Sequence, residues 1–149
     1  MSVPENISLM KRWFREVWNE GNTKTVHELL APDGVARGQS DPHGEIHGPD
    51  EFLAFVESIR ASFSEIHTVI EDVFGAEDKV VVRWSATMTH SGAGLGVPAS
   101  GKRIRVSGIT IARIRNGQVV EGWDNWDQLS MLRQTGVYRE APPLTAKIA

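Results

Sequence analysis

Residues 103–126, RIRVSGITIARIRNGQVVEGWDNW, decide how the chain folds. Apolar and polar side chains alternate on both sides of Arg115-Asn116-Gly117-Gln118, and a period of two is the mark of a strand with one buried face. Asn-Gly at the centre accepts the positive φ angles of a tight hairpin, so the two runs are neighbours in one sheet. In the first run Ile104, Val106, Gly108, Thr110 and Ala112 share a face that reads as buried, while Arg103, Arg105, Ser107, Ile109 and Arg113 share the other. In the second run Val120, Gly122, Asp124 and Trp126 lie together, which puts a carboxylate in apolar company. A plain two-residue loop sets Asp124 opposite Ile109, on the arginine-bearing face; a β-bulge or a longer loop returns it to the face of Thr110. The alternation leaves both registers open.

Upstream, HTVIEDVFG (67–75) and KVVVRWSATMTH (79–90) are rich in β-branched and aromatic residues. Strands in sequence joined by short connections predict an antiparallel sheet. In the second of these runs Val82, Trp84, Ala86, Met88 and His90 share one face, and Val81, Arg83, Ser85, Thr87 and Thr89 the other. A buried Arg83 would need a carboxylate partner, since an unpaired cation is costly to bury. The glycine-rich SGAGLGVPASGK (91–102) leads into a strand, whereas a phosphate cradle needs a helix N-terminus next, so it reads as a loop at a sheet end.

The first third has helical spacing. Ile7, Met10, Trp13, Phe14, Val17 and Trp18 form an aromatic-rich face over residues 5–20, with Gly21 as the stop. A short helix comes next in TKTVHELLA (23–31), stopped by Pro32-Asp33-Gly34. A third starts at Pro49 and runs through Phe52, Phe55, Val56, Ile59 and Phe63. After the last strand, Asp127 reads as the N-cap of a terminal helix ended by Gly136. Helices first and strands second give an α+β fold in one domain spanning 1–149, with its core at about 5–137 and a polar tail, 138–149, that is loose or docks on a partner subunit.

Composition narrows the function. With 149 residues, 40% of them hydrophobic, the chain has material for one sizeable core. A net charge of −3 with scattered basic residues opposes nucleic-acid binding. The absence of cysteine removes thiolate chemistry, disulfides and Cys-based metal sites. The charges within the N-terminal apolar stretch interrupt a signal core or membrane span, so a cytoplasmic protein with no membrane association is expected. His43 and His47 are spaced outside a helix with no matching third ligand, and shape a pocket mouth or cap a helix rather than bind metal.

Three blocks carry a resemblance: WFREVWNEGNTKTVHELLAPDGV, IHGPDEFLAFVESIRASF, and GVPASGKRIRVSGITIARIRNGQVVEGWDNWDQLSMLRQTG. In order and content they resemble the SnoaL-like polyketide cyclases, also labelled ester cyclases, over about residues 7–137. The resemblance implies a cone-shaped, curved antiparallel β-sheet packed on N-terminal helices and enclosing a pocket, the α+β barrel of the wider nuclear-transport-factor-like, or cystatin-like, group. It implies an intramolecular aldol ring closure without metal or cofactor, with an aspartate of the last strand as acid and base. By position that residue is Asp124. The cyclases carry a histidine where this chain has Thr110, and His90 is the candidate to replace its imidazole. The more distant limonene epoxide hydrolases use an Asp–Arg–Asp set, of which Asp124 and Arg83 match and Ser85 departs.

Asp124 is therefore the candidate catalytic residue, in an apolar pocket that raises its pKa. Arg83, Thr110 and His90 are candidates to orient or polarise a small hydrophobic carbonyl compound, with Trp126, Trp18, Phe14 and Met88 as walls. The alternatives are a structural carboxylate paired with Arg83 or an indole, in a non-catalytic binder of a small apolar molecule, and an epoxide hydrolase. A homodimer is expected, partly from the resemblance and partly because one sheet face needs cover, with Arg103, Arg105 and Arg113 contributing to a polar dimer surface.

Overall fold

The computed structural model describes residues 2–139. Its first helix, α1 (Val3–Trp13), is nucleated by a reciprocal cap: the Ser2 hydroxyl accepts from the Glu5 amide at 3.3 Å and the Glu5 carboxylate from the Ser2 amide at 2.8 Å. The chain then widens into a π-helical segment, Phe14–Asn19, and Gly21 turns it with a φ of 68°. Helix α2 (Thr23–Leu29), capped by Asn22, ends earlier than the predicted stop.

The next two elements differ from the sequence expectation. Leu30–Arg37 is a strand, β1, and Glu45–His47 a short one, β2; neither was expected. Pro32 and Gly34 obscure β1 because they are strand breakers, and they are tolerated where the pairing of β1 breaks step, between Leu30 and Val35. Helix α3 (Gly48–Arg60) leads into β3 (Phe63–Ala76), so Phe63 opens a strand instead of closing a helix. Strands β4 (Lys79–His90), β5 (Arg103–Arg115) and β6 (Gln118–Trp126) and helix α4 (Gln128–Thr135) complete the order. The tail expected at 138–149 falls almost wholly outside the described residues.

The six strands lie in the order β2-β1-β6-β5-β4-β3, a curved sheet left unclosed. All pairs are antiparallel except β1 with β6, which is parallel. The expectation of a wholly antiparallel sheet fails there because β1 reaches β6 from the far end of the chain, not through a hairpin.

The open register is settled by a bulge. Asn116 and Gly117 take φ angles of 52° and 74°, and Arg115 pairs with Gln118 and Ile114 with Val119; then Val120 is skipped, Arg113 pairs with Glu121, and Thr110 faces Asp124. One extra residue moves Asp124 onto the buried face.

Helices α1 and α3 cover that face. Trp13 and Phe52 meet edge to face, with ring centroids 5.1 Å apart, over a core that includes Val80, Val82, Ala112 and Ile114. A second cluster around Phe63, Met88, Ile104 and Met131 fills the α4 end. On the outer face Arg103 and Arg105 are exposed, and Arg113 is held by Asp78 at 2.9 Å and Glu121 at 3.1 Å. No helix of the described residues is long and apolar enough to cross a membrane.

Helix α4 starts as predicted, with the Asp127 carboxylate accepting from the Ser130 amide at 3.0 Å, and ends at Gly136 with a φ of 83°. Asp127→Ala is expected to lower stability by about 1 kcal/mol, read from urea denaturation, and to leave the titration of Asp124 unchanged.

Candidate active site

Asp124 sits at the floor of a cavity between the helices and the sheet. Its carboxyl is gripped from two sides. The Thr110 hydroxyl, directly across on β5, donates to Oδ1, and the Gln39 amide Nε2 donates to Oδ2 at 2.7 Å. Thr110 in turn accepts from the indole Nε1 of Trp84 at 3.0 Å, and the Trp126 indole donates to the backbone carbonyl of Gln39 at 2.6 Å.

Two glycines allow this approach. Gly38, at a φ of 82°, brings the end of β1 so close to β6 that a Cβ there would stand 2.0 Å from the Asp124 carbonyl oxygen. Gly108 makes room for the two indoles, since a Cβ there would lie 2.6 Å from both the Trp126 Cβ and the Trp84 ring.

The cavity opens to solvent. Its walls are aromatic and aliphatic: Trp18 and Phe14 from the first helical stretch, Phe55 from α3, and Met88, Val106 and Trp126 from the sheet. Among the described residues that line it, Asp124 is the only ionisable side chain. Gly122, whose missing Cβ would be 3.9 Å from the Ala36 Cβ, keeps the floor beside Asp124 open.

The electrostatics come from that lining. Asp124 is half-buried, with its accessible surface on the cavity, so little water remains to solvate its charge. Burial pushes its pKa up to about 6, against the opposing pull of the Thr110 hydroxyl. The amide of Gln39, as placed, donates to the ionised form as Thr110 does. A carboxyl poised near neutrality can take a proton and give it back.

Of the residues singled out in the sequence, Asp124, Thr110, Trp126, Trp18, Phe14 and Met88 all meet at this cavity. Arg83 does not. It is exposed, opposite Ile109 on the outer face, so the pairing with Asp124 does not form. Ser85 shares that face and donates to Glu71 at 2.6 Å, which leaves the Asp–Arg–Asp comparison without a site. His90 is fully buried but outside the cavity lining. Its Nδ1 accepts from the Ser100 amide at 3.2 Å and lies 2.9 Å from the Ser100 hydroxyl, so it pins the end of the glycine-rich loop.

Gln39 and Trp84 were not among the expected site residues. Trp84 was placed on one face with Val82, Ala86 and Met88 but given no role there. Gln39 carried no signal, because it lies past a strand that was itself hidden. Among the described residues no group of three or more His, Asp or Glu is placed to hold a metal; His43 and His47 are exposed.

The fold and the site together define a small α+β protein with a single carboxyl of raised pKa in an apolar cavity. Residues 8–135 match the family described as SnoaL-like polyketide cyclase, and the chain belongs to that family. It is 30% identical over 132 residues to the aklanonic acid methyl ester cyclase DauD of Streptomyces sp. (strain C5), covering 87% of this chain and 81% of the relative. It is equally similar to the cyclase of the same designation, DnrD, of Streptomyces peucetius, covering 87% and 90%. Among solved structures, a SnoaL-like protein of Jannaschia sp. CCS1 superposes with a TM-score of 0.81 at 27% identity, covering 95% of each chain. IdmH of Streptomyces antibioticus superposes with a TM-score of 0.77 at 28% identity, covering 88% of this chain and 98% of its own.

Proposed function

We propose that the protein catalyses an intramolecular aldol-type ring closure of a small hydrophobic carbonyl compound, with Asp124 as both base and acid and no cofactor. The observation that carries this reading is the isolation of one raised-pKa carboxyl in an otherwise un-ionisable cavity. The Asp124 carboxylate takes the proton from a carbon next to a carbonyl, and the C–H electrons remain on the substrate as an enolate. The enolate carbon forms a bond to a second carbonyl carbon, whose oxygen becomes an alkoxide. Asp124 returns its proton to that oxygen, so the carboxylate is regenerated and nothing is consumed. Apolar walls aid the first transfer because a base with little water around it is not levelled by solvation. The two Streptomyces relatives bear the name of such a ring-closing reaction, which supports the reaction class; at 30% identity their substrate is not carried over.

A binding protein built on the same cavity is the second reading. It is favoured by Thr110, which stands where the resemblance places a histidine and whose one proton is directed to Asp124. The two readings part in one experiment: kcat/KM on candidate diketone and keto-ester substrates, measured against pH. Ring closure predicts a rate that rises through a midpoint near 6, as Asp124 ionises, and levels above it. Saturable binding with no turnover at any pH would leave the binding protein.

A further inference from the structure

The hydrogen bonds around Asp124 have directions, and the directions distinguish its two oxygens. An indole nitrogen can only donate, so Thr110 must accept from Trp84, and its single proton is then committed to Oδ1. A proton arriving on Oδ1 would force the Thr110 hydroxyl to turn its own proton away from Asp124, the one acceptor it has. Oδ2 faces Gln39 alone, and Gln39 is an amide with a donor at one end and an acceptor at the other. In the ionised state its Nε2 donates to Oδ2. Its Oε1 is then buried with no partner, in a side chain only 6% exposed, so the amide carries an acceptor that no other group engages.

The geometry points to Gln39 as a two-state positioning residue: when Oδ2 is protonated the amide turns over, and Oε1 accepts the new O–H from the oxygen that Nε2 had served as a donor. The backbone permits this. The Trp126 indole and the close packing of Gly38 hold the main chain of residues 38–39, while rotation about the last side-chain bond exchanges the two ends of the amide. The working proton therefore resides on Oδ2, and a substrate C–H must approach the Gln39 side of the carboxyl. No other titrating group among the described residues faces Asp124 across the cavity: α1 and the π-helical segment present Met10, Trp13, Phe14 and Trp18; α3 presents Phe52, Phe55 and Ile59; the strands and the residue just past β1 present Gln39, Trp84, Thr110 and Trp126.

This role for Gln39 rests on Asp124 as the group that exchanges protons in the proposed reaction, yet its test needs no substrate. Carboxyl NMR titration of the wild type, Gln39→Leu and Thr110→Val separates a two-state partner from a one-state donor. Thr110→Val removes a group that favours only the carboxylate and should raise the Asp124 midpoint by about one pH unit. Gln39→Leu removes a group that serves both forms and should shift it by less than about half a unit. A Gln39→Leu shift of about a unit or more, in either direction, overturns the proposal. Atomic-resolution crystals of the wild type below the midpoint supply the second measurement should a variant fail to fold: the longer C–O bond is expected at Oδ2, and a longer bond at Oδ1 overturns the proposal equally. Absence of turnover would defeat the catalytic reading and leave both measurements untouched.

Discussion

Asp124→Asn is expected to abolish ring closure and, at pH 8, to make the protein more stable. Both effects have one cause. The carboxyl has a pKa near 3.8 in an unfolded chain and about 6 in the fold, so between those values the folded state binds a proton that the unfolded state does not. Stability therefore falls as pH rises through that window, and above it the ionised carboxylate stays in the cavity at a penalty. At about 1.4 kcal/mol per pH unit the gap amounts to roughly 3 kcal/mol. Asparagine has the same shape and no charge. Its Oδ1 can accept from Thr110, and its amide can donate to the Oε1 of a turned Gln39, so both contacts of the carboxyl are kept without its charge. Urea denaturation of both proteins from pH 4 to pH 8 gives the answer: the variant's advantage should be largest at pH 8 and vanish towards pH 4. A variant less stable than the wild type at pH 8 would mean that Thr110 and Gln39 outweigh desolvation, and Asp124 would be a structural carboxylate.

Gly38→Ala should cost about 3 kcal/mol or more and detach Gln39 from Asp124. Its φ of 82° alone disfavours a side chain by ~1–2 kcal/mol. The Cβ would also lie 2.0 Å from a backbone oxygen of Asp124, which cannot swing away as a side-chain tip could. Gly96 is the control, with a φ of 84° and nothing within 4 Å of its missing Cβ, so Gly96→Ala carries only the dihedral penalty. The difference between the two variants in chemical denaturation isolates the approach of β1 to β6. Equal losses would show that residue 38 accommodates a methyl group, and that the close packing does not hold the site.

What was legible in the sequence is local in its physics. The Asn116-Gly117 hairpin, the Asp127 cap and the Gly136 stop are each written within a few residues. So is the two-residue alternation that placed Thr110 and Met88 inward. The helices announced themselves by spacing, although the continuation of α3 to Phe63 was wrong, because an apolar residue fits a strand start as well as a last helical turn.

What escaped depends on which segments meet. Alternation gave each strand two faces but not which faces join across the sheet, so Arg83 looked like a partner for Asp124 until the pairing of Arg83 with Ile109 put it outside. His90 shared the inward parity of Met88 but lies beyond the cavity, against the loop that comes after it. Strand β1 carried Pro32 and Gly34, and its pairing with β6 joins Val35 to Glu121, far apart in the chain.

The sequence by itself determined the class of fold, because alternation, capping and turn chemistry act between near neighbours, while the choice of Asp124 as the candidate carboxyl came from the family resemblance. Only the tertiary structure decided that Asp124 faces inward, through one skipped residue at Val120, and that its partners are Gln39 and Thr110 instead of Arg83 and His90. Those are contacts between segments as many as 85 residues apart, and their geometry is fixed by the packing of the whole sheet.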